Sequence, residues 1–200
     1  MSSVTRGSCV IAAAICLSLA APSASAQTRA DSLALDSLRA ALQKYQDPYA
    51  AVFDGYFSSV ACVDIARPGA PGHVPYQPGG MGIHFLNMSV VGPVPDPAHP
   101  SVLIYEPDGA KLRLVAAEWF IPLATGVKGR PQLLHMAFDG PMEGHMPLMP
   151  MELHHWDLHV WLFKHNPRGM FNATNPNVKC GGYSYRLVEE APKLVPVPQP

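Results

Sequence analysis

Apolar positions along this chain change period part-way. Leu35, Leu38, Leu42 and Tyr45 recur at three- and four-residue spacing, which puts them on one face of a helix. Asp31 or Ser32 stands where an N-cap is expected. Asp47-Pro48 ends the run and starts a second helix through Ala50, Phe53 and Phe57. Residues 67–80 form a loop dense in Pro and Gly. Beyond it the period is two. In MGIHFLNMSVV, the residues His84, Leu86, Met88 and Val90 share one strand face. SVLIYE and KLRLVAAEWF flank the turn Pro107-Asp108-Gly109 and read as a hairpin. On its second strand Lys111 and Arg113 point one way; Leu112, Leu114, Ala116, Glu118 and Phe120 point the other. LHHWDLHVWLFK is a further strand, with Trp156, Leu158, Val160 and Leu162 on one face and His155, Asp157, His159, Trp161 and Phe163 on the other. GGYSYRLVEE reads as the last strand, and residues 191–200 as a disordered Pro-rich tail. Helices first and strands later predict an α+β fold, with N-terminal helices packed on an antiparallel sheet or a partly closed β-barrel.

The N-terminus changes the picture of where this fold resides. Arg6, the apolar run from Cys9 to Ala21 and the A-x-A site Ala24-Ser25-Ala26 predict a signal peptide over residues 1–26. Residues 27–190 then have the size of a single domain with a real core. The whole chain carries 14 basic and 15 acidic residues. Arg6 leaves with the leader, so 13 bases face 15 acids and the net charge becomes −2. No basic patch points to nucleic acid, and no second apolar run has the length of a membrane span. A periplasmic or secreted protein is expected, with a small-molecule ligand as the partner class left open. Cys9 and Cys16 fall in the leader, leaving Cys62 and Cys180. Two cysteines in an exported chain most simply form one disulfide. The alternative is a pair of soft metal ligands. Their separation and the lack of a C-x-x-C pair favour the bridge.

Candidate chemistry concentrates between His135 and His165, which holds six of the nine histidines: His135, His145, His154, His155, His159 and His165. Imidazole suits zinc, copper or iron. Alternation puts His155, Asp157 and His159 on one side of a strand, so that they could bind or flank one ion, with Asp157 either ligating or orienting an imidazole. His84 and Glu118 come from separate strands, each on an apolar face where an unpartnered polar group is costly. His145 is a loop residue able to cap such a site. The predicted metal set is therefore His84, Glu118, His145, His155 and His159, around a transition metal ion. Each residue also has a structural reading, as a hydrogen-bonded core group or a solvated one. Met142, Met146, Met149 and Met151 beside His145 resemble the Met/His-rich runs of exported copper-handling proteins, although Met-Pro segments also serve as flexible core filler. There is no G-x-S-x-G, no phosphate-cradling glycine loop and no H-E-x-x-H.

Three functions are compatible with these features. The first is an exported metal-binding protein, in which the ion of a metal-dependent enzyme would polarise an oxygen or activate water or dioxygen. The second is a non-catalytic binding module whose Trp119, Trp156, Trp161 and Phe163 line an apolar pocket. The third is a structural envelope protein. The segments GGMGIHFLN (79–87), the block from Asp96-Pro97 through VLIYEPDG (96–109), LRLVAAEWFIP (112–122), FDGPMEGH (138–145), DLHVWLFKHNPRGMF (157–171) and NPNVKC (175–180) resemble a family of small exported bacterial proteins of unestablished function. The resemblance implies that His84, Glu118, His145, His155, Asp157, His159, Cys62 and Cys180 occupy family motif positions; it implies no reaction.

Overall fold

The computed structural model describes residues 24–197. The expected signal peptide, apart from its last three residues at the start of the first helix, and the end of the expected tail lie outside the described residues. Helix α1 spans Ala24–Leu42, so Asp31 lies inside it and is not its cap. Leu38 and Leu42 are buried, and Tyr45 follows them into the core from a 3-10 turn at Gln43–Gln46. Helix α2, Pro48–Phe53, is capped by Asp47, whose carboxylate accepts the Tyr49 N–H at 3.0 Å. It stops short of Phe57, because Gly55 takes a left-handed φ of 91° and turns the chain.

Phe57 instead opens the first strand, β1 (Phe57–Ile65), which the sequence pattern did not reveal. The further strands are β2 (Gly79–Leu86), β3 (Val102–Asp108), β4 (Lys111–Pro122), β5 (Gln132–Leu133), β6 (Met136–Ala137), β7 (Asp139–Met142), β8 (His155–Val160) and β9 (Arg186–Glu189). Seven of them form one curled sheet, a half-barrel, in the order β7-β8-β4-β3-β2-β1-β9; β5 and β6 pair separately. The expectation of helices packed on an antiparallel sheet needs correction in two respects. The fold is mostly sheet, with α1 the one long helix among the described residues. The sheet is mixed, because β9 returns to lie parallel to β1. The Cys62–Cys180 disulfide ties β1 to the segment that leads into β9, closing a span of 118 residues with Cα atoms 5.5 Å apart.

One face of the sheet packs under α1. Ile83, Phe85, Leu103, Tyr105, Trp119, Trp156 and Leu158 meet Leu38 and Leu42 there, with Cys62 and Cys180 in the same core. A bulge decides which residues of β4 reach it. Ile104 pairs with Ala116 but Tyr105 pairs with Leu114, so Val115 has no counterpart and the alternation of β4 inverts at that point. Leu112 and Leu114 therefore face the helix side, whereas Ala116 and Phe120 pack with Val102 and Ile104 on the other side. Unbroken counting had put Leu112 and Leu114 on the face of Glu118. Met88 and Val90 likewise leave the strand of His84. They lie in a 3-10 turn capped by Asn87, whose side chain accepts the Ser89 N–H.

The tail expected to be disordered from residue 191 is tied down over its first residues. Ala191 and Pro192 are buried. Pro192 O accepts from Val74 N–H, Leu194 N–H donates to Gly72 O, and Val195 N–H donates to Pro141 O. These residues alternate with prolines that lack a donor, but their own N–H groups and carbonyls satisfy the loop at 72–74 and strand β7.

Candidate metal centre

All six residues of β8 (HWDLHV) are buried. Trp156, Leu158 and Val160 belong to the helix-side core, so His155, Asp157 and His159 point to the opposite face. On that face His159 sits directly across from Glu118 in the β4–β8 register, and Glu118 sits across from Val102 in β3–β4. His84 pairs with Ile104 in β2–β3. It is thus two strands removed from Glu118, and the curl of the sheet closes the gap. His84 Nε2 lies 3.5 Å and His159 Nε2 3.6 Å from the same oxygen, Glu118 Oε2. The two imidazoles stand nearly perpendicular, at 89°, with ring centroids 6.3 Å apart.

Beside this group lies another. His145, His155 and Asp157 offer ligand atoms that all fall within 4.8 Å of one another, as do those of His84, Glu118 and His159. His145 comes from the loop after β7. The base of that loop is pinched shut by the Gly144 N–H, which donates to Met151 O, and by the Met149 N–H, which donates to His145 O. Any Cβ at Gly144 would come within 1.8 Å of Pro150 O, so only glycine permits the closure that aims His145 inward. His145 Nδ1 is 3.1 Å from Glu189 Oε2, and the rings of His145 and His155 are 5.4 Å apart. Tyr76 OH donates to Asp157 Oδ2 at 2.8 Å.

Several of these polar atoms have no hydrogen-bond partner among the described residues: Glu118 Oε2, Asp157 Oδ1, Glu189 Oε1 and both ring nitrogens of His159. Burial then drives Glu118, Asp157, His84, His155 and His159 toward their neutral forms. Desolvation lifts the Glu118 carboxyl to about 8 and raises Asp157 well above the usual carboxylate range, with the Glu118 and Asp139 charges adding to the effect at Asp157. It lowers His84 to about 4 and His155 to about 3, and holds His159 well below an ordinary imidazole, with neighbouring histidines adding to the repulsion. Neutral imidazoles carrying free lone pairs, beside carboxyls that ionise once a cation is near, make a donor set suited to a transition metal.

The expected site residues thus fall into two adjacent groups. His84, Glu118 and His159 form one; His145 and His155, with Asp157, form the other. His84, Glu118, His145, His155, Asp157 and Glu189 line a single cavity of about 80 Å³, walled by Val63, Met81, Leu86, Val102, Phe120, Leu148 and Met149. His135, His154 and His165 are exposed and lie outside both groups. The methionine run does not act together. Met142 is buried against Tyr76 and Met149 lines the cavity, but Met146 and Met151 are exposed. The four aromatic residues expected to line one apolar pocket are dispersed. Trp119 and Trp156 lie in the helix-side core, while Trp161 and Phe163 border a separate surface groove. Glu189 and Tyr76 were missed. The apolar alternation of Leu187 with Glu189 on the last strand was an available signal for Glu189. Tyr76 lies in the Pro/Gly loop, where no periodicity marks a buried residue. No family model, no curated protein and no solved structure shows a significant match to this chain.

Proposed function

We propose that this is an exported protein that binds a transition metal ion through His84, Glu118 and His159, at the floor of a cavity that admits a small, mainly apolar ligand. One observation carries the reading. Glu118 Oε2 and both nitrogens of His159 are buried without a hydrogen-bond partner among the described residues, and His84 Nε2 converges on the same carboxylate oxygen. Leaving such groups unpaired in a folded core costs about 1–3 kcal/mol each. An ion at their meeting point removes that cost at Glu118 Oε2 and His159 Nε2. Two imidazoles and one carboxylate leave a coordination position for an exogenous group, as in catalytic rather than structural zinc sites, and iron or copper is compatible with the same donors. In an enzyme the ion would polarise a ligand oxygen or activate water. The apolar wall favours a ligand that offers one donor atom to the metal and hydrocarbon to the protein. The Cys62–Cys180 disulfide and the leader-like N-terminus support export, as does the likeness to small exported bacterial proteins. Among the described residues no helix is long and apolar enough to cross a membrane.

Metal analysis of protein purified without a histidine tag tests the proposal. At least one equivalent of zinc, iron or copper is expected at neutral pH, falling as imidazoles protonate in acid. His84→Ala with His159→Ala should remove that equivalent, whereas His73→Ala in the Pro/Gly loop should not. Folded protein that takes up no metal, or a folded double variant that keeps its full complement, would overturn the reading.

A further inference from the structure

We infer that His145, His155 and Asp157 hold a second metal ion beside the first, so that the cavity floor is a two-metal centre. The inference rests on the reading above for its neighbouring ion, and on separate observations for its own. The two groups share no residue, and each brings two imidazoles and its own carboxylate. A single ion would leave one of them unused inside a buried cavity.

The hydrogen bonds of the second group point the same way. His155 Nδ1 lies 3.0 Å from Leu153 O. A carbonyl only accepts, so Nδ1 must carry the proton and Nε2 must present a bare lone pair. His145 Nδ1 faces Glu189 Oε2 at 3.1 Å, and a proton there again leaves Nε2 as the donor atom. Asp157 is held at one oxygen by Tyr76 OH, while its other oxygen, Oδ1, is buried and has no hydrogen-bond partner among the described residues. Pinning the far side of each ligand by an acceptor or donor of the protein is how metal-binding histidines and carboxylates are oriented. Glu189 and Tyr76 are thus positioning residues, which explains why a carboxylate and a phenol are buried beside these ligands. The seam between the two groups is His159 Nδ1, 4.0 Å from Asp157 Oδ1. Because His84 and Glu118 of the first group and all three residues of the second line one cavity, a small ligand with two oxygen donors could touch both ions.

The test is a count of ions. Tag-free protein would be stripped with chelator, reloaded with Zn²⁺ alone and measured by native mass spectrometry, whose charge-state distribution also reports whether each sample is folded. Two equivalents are expected in the wild type. One equivalent is expected in His145→Gln with Asp157→Asn, and one in His84→Gln with Glu118→Gln. His145 is less deeply buried than Asp157, so His145→Gln alone serves if the Asp157 substitution prevents folding; it should weaken one ion at least tenfold and leave the other. One equivalent in the folded wild type would overturn the second site and leave the first standing. None would overturn both. Two equivalents that survive unchanged in folded His145→Gln would place the second ion elsewhere and so refute this assignment.

Discussion

The two faces of β8 are built from alternate residues of one six-residue strand, and they obey opposite economies. Trp156, Leu158 and Val160 enter a core of aliphatic and aromatic side chains under α1, closed at one side by the Cys62–Cys180 bridge. His155, Asp157 and His159 are buried just as fully, but among imidazoles and carboxyls whose charged forms burial opposes. On the first face burial stabilises, because removing apolar surface from water is favourable. On the second, burial of unpaired polar atoms destabilises. A strand in which half the buried residues work against folding is what the proposed ligation accounts for. The comparison teaches that one strand can give the sheet an apolar support on one side and a convergent cluster of polar groups, the proposed donor set, on the other.

The largest break in that comparison should come from the supporting face. Trp156→Ala opens a cavity in the helix-side core and should cost about 3–5 kcal/mol in urea unfolding of metal-free protein. The indole N–H has no partner among the described residues, so the loss is one of packing, not of a hydrogen bond. A cost under about 1 kcal/mol would mean that this face is not the support. Next in size is the bridge. Cys62→Ala with Cys180→Ala frees a span of 118 residues and should cost about 2–5 kcal/mol. The folded fraction should keep its metal, since both cysteines lie in the helix-side core. Metal lost from folded double variant would instead tie the disulfide to the donor face.

How far this division could be read from sequence depends on where strand alternation was undisturbed. On β8 it was regular, and the opposition of His155, Asp157 and His159 to Trp156, Leu158 and Val160 followed from parity alone. On β4 it was not. The extra residue Val115 inverts the faces, so Glu118 is buried beside histidines for a reason that counting from Leu112 and Leu114 misses. A bulge is a property of the pairing between two strands, and no residue type announces it here. β1 was hidden because Phe57 continued the helical spacing of Ala50 and Phe53, while the break at Gly55 carried the real boundary. The split of five expected ligands into two groups, with Asp157 as the sixth, was equally out of reach. It depends on the curl of the sheet, which brings His84 across two strands to Glu118, and on a loop closure at Gly144. Periodicity says which residues share a face; it is silent on which of them meet.

The smallest expected effect is the most diagnostic, because its sign separates the two faces. In metal-free protein Glu118 titrates near 8, far above the roughly 4.3 of an unfolded chain. Between those values the folded state holds a proton that the unfolded state has lost, so stability falls as pH rises, by up to about 1.4 kcal/mol per unit for one group. Asp157, also raised, adds in the same direction. The histidines act with the opposite sign. His84, His155 and His159 are depressed below the unfolded value of roughly 6.5, so they reduce stability only as pH falls beneath it. From about pH 6.5 to 8 the carboxyl effect exceeds that of the histidines, which fades as the unfolded imidazoles lose their remaining protons, so metal-free protein should lose stability across that window, most steeply above about pH 7, in urea titrations. Glu118→Gln keeps the shape and stays neutral, so its slope should be shallower and its metal-free stability at pH 8 equal to or above that of the wild type. Its metal content should nonetheless drop. In the wild type, bound metal should flatten the slope by letting Glu118 ionise inside the fold. A metal-free wild type whose stability is level or rises from pH 6.5 to 8 would show that Glu118 is already ionised and partnered, and the donor face would then be an ordinary salt-bridged core.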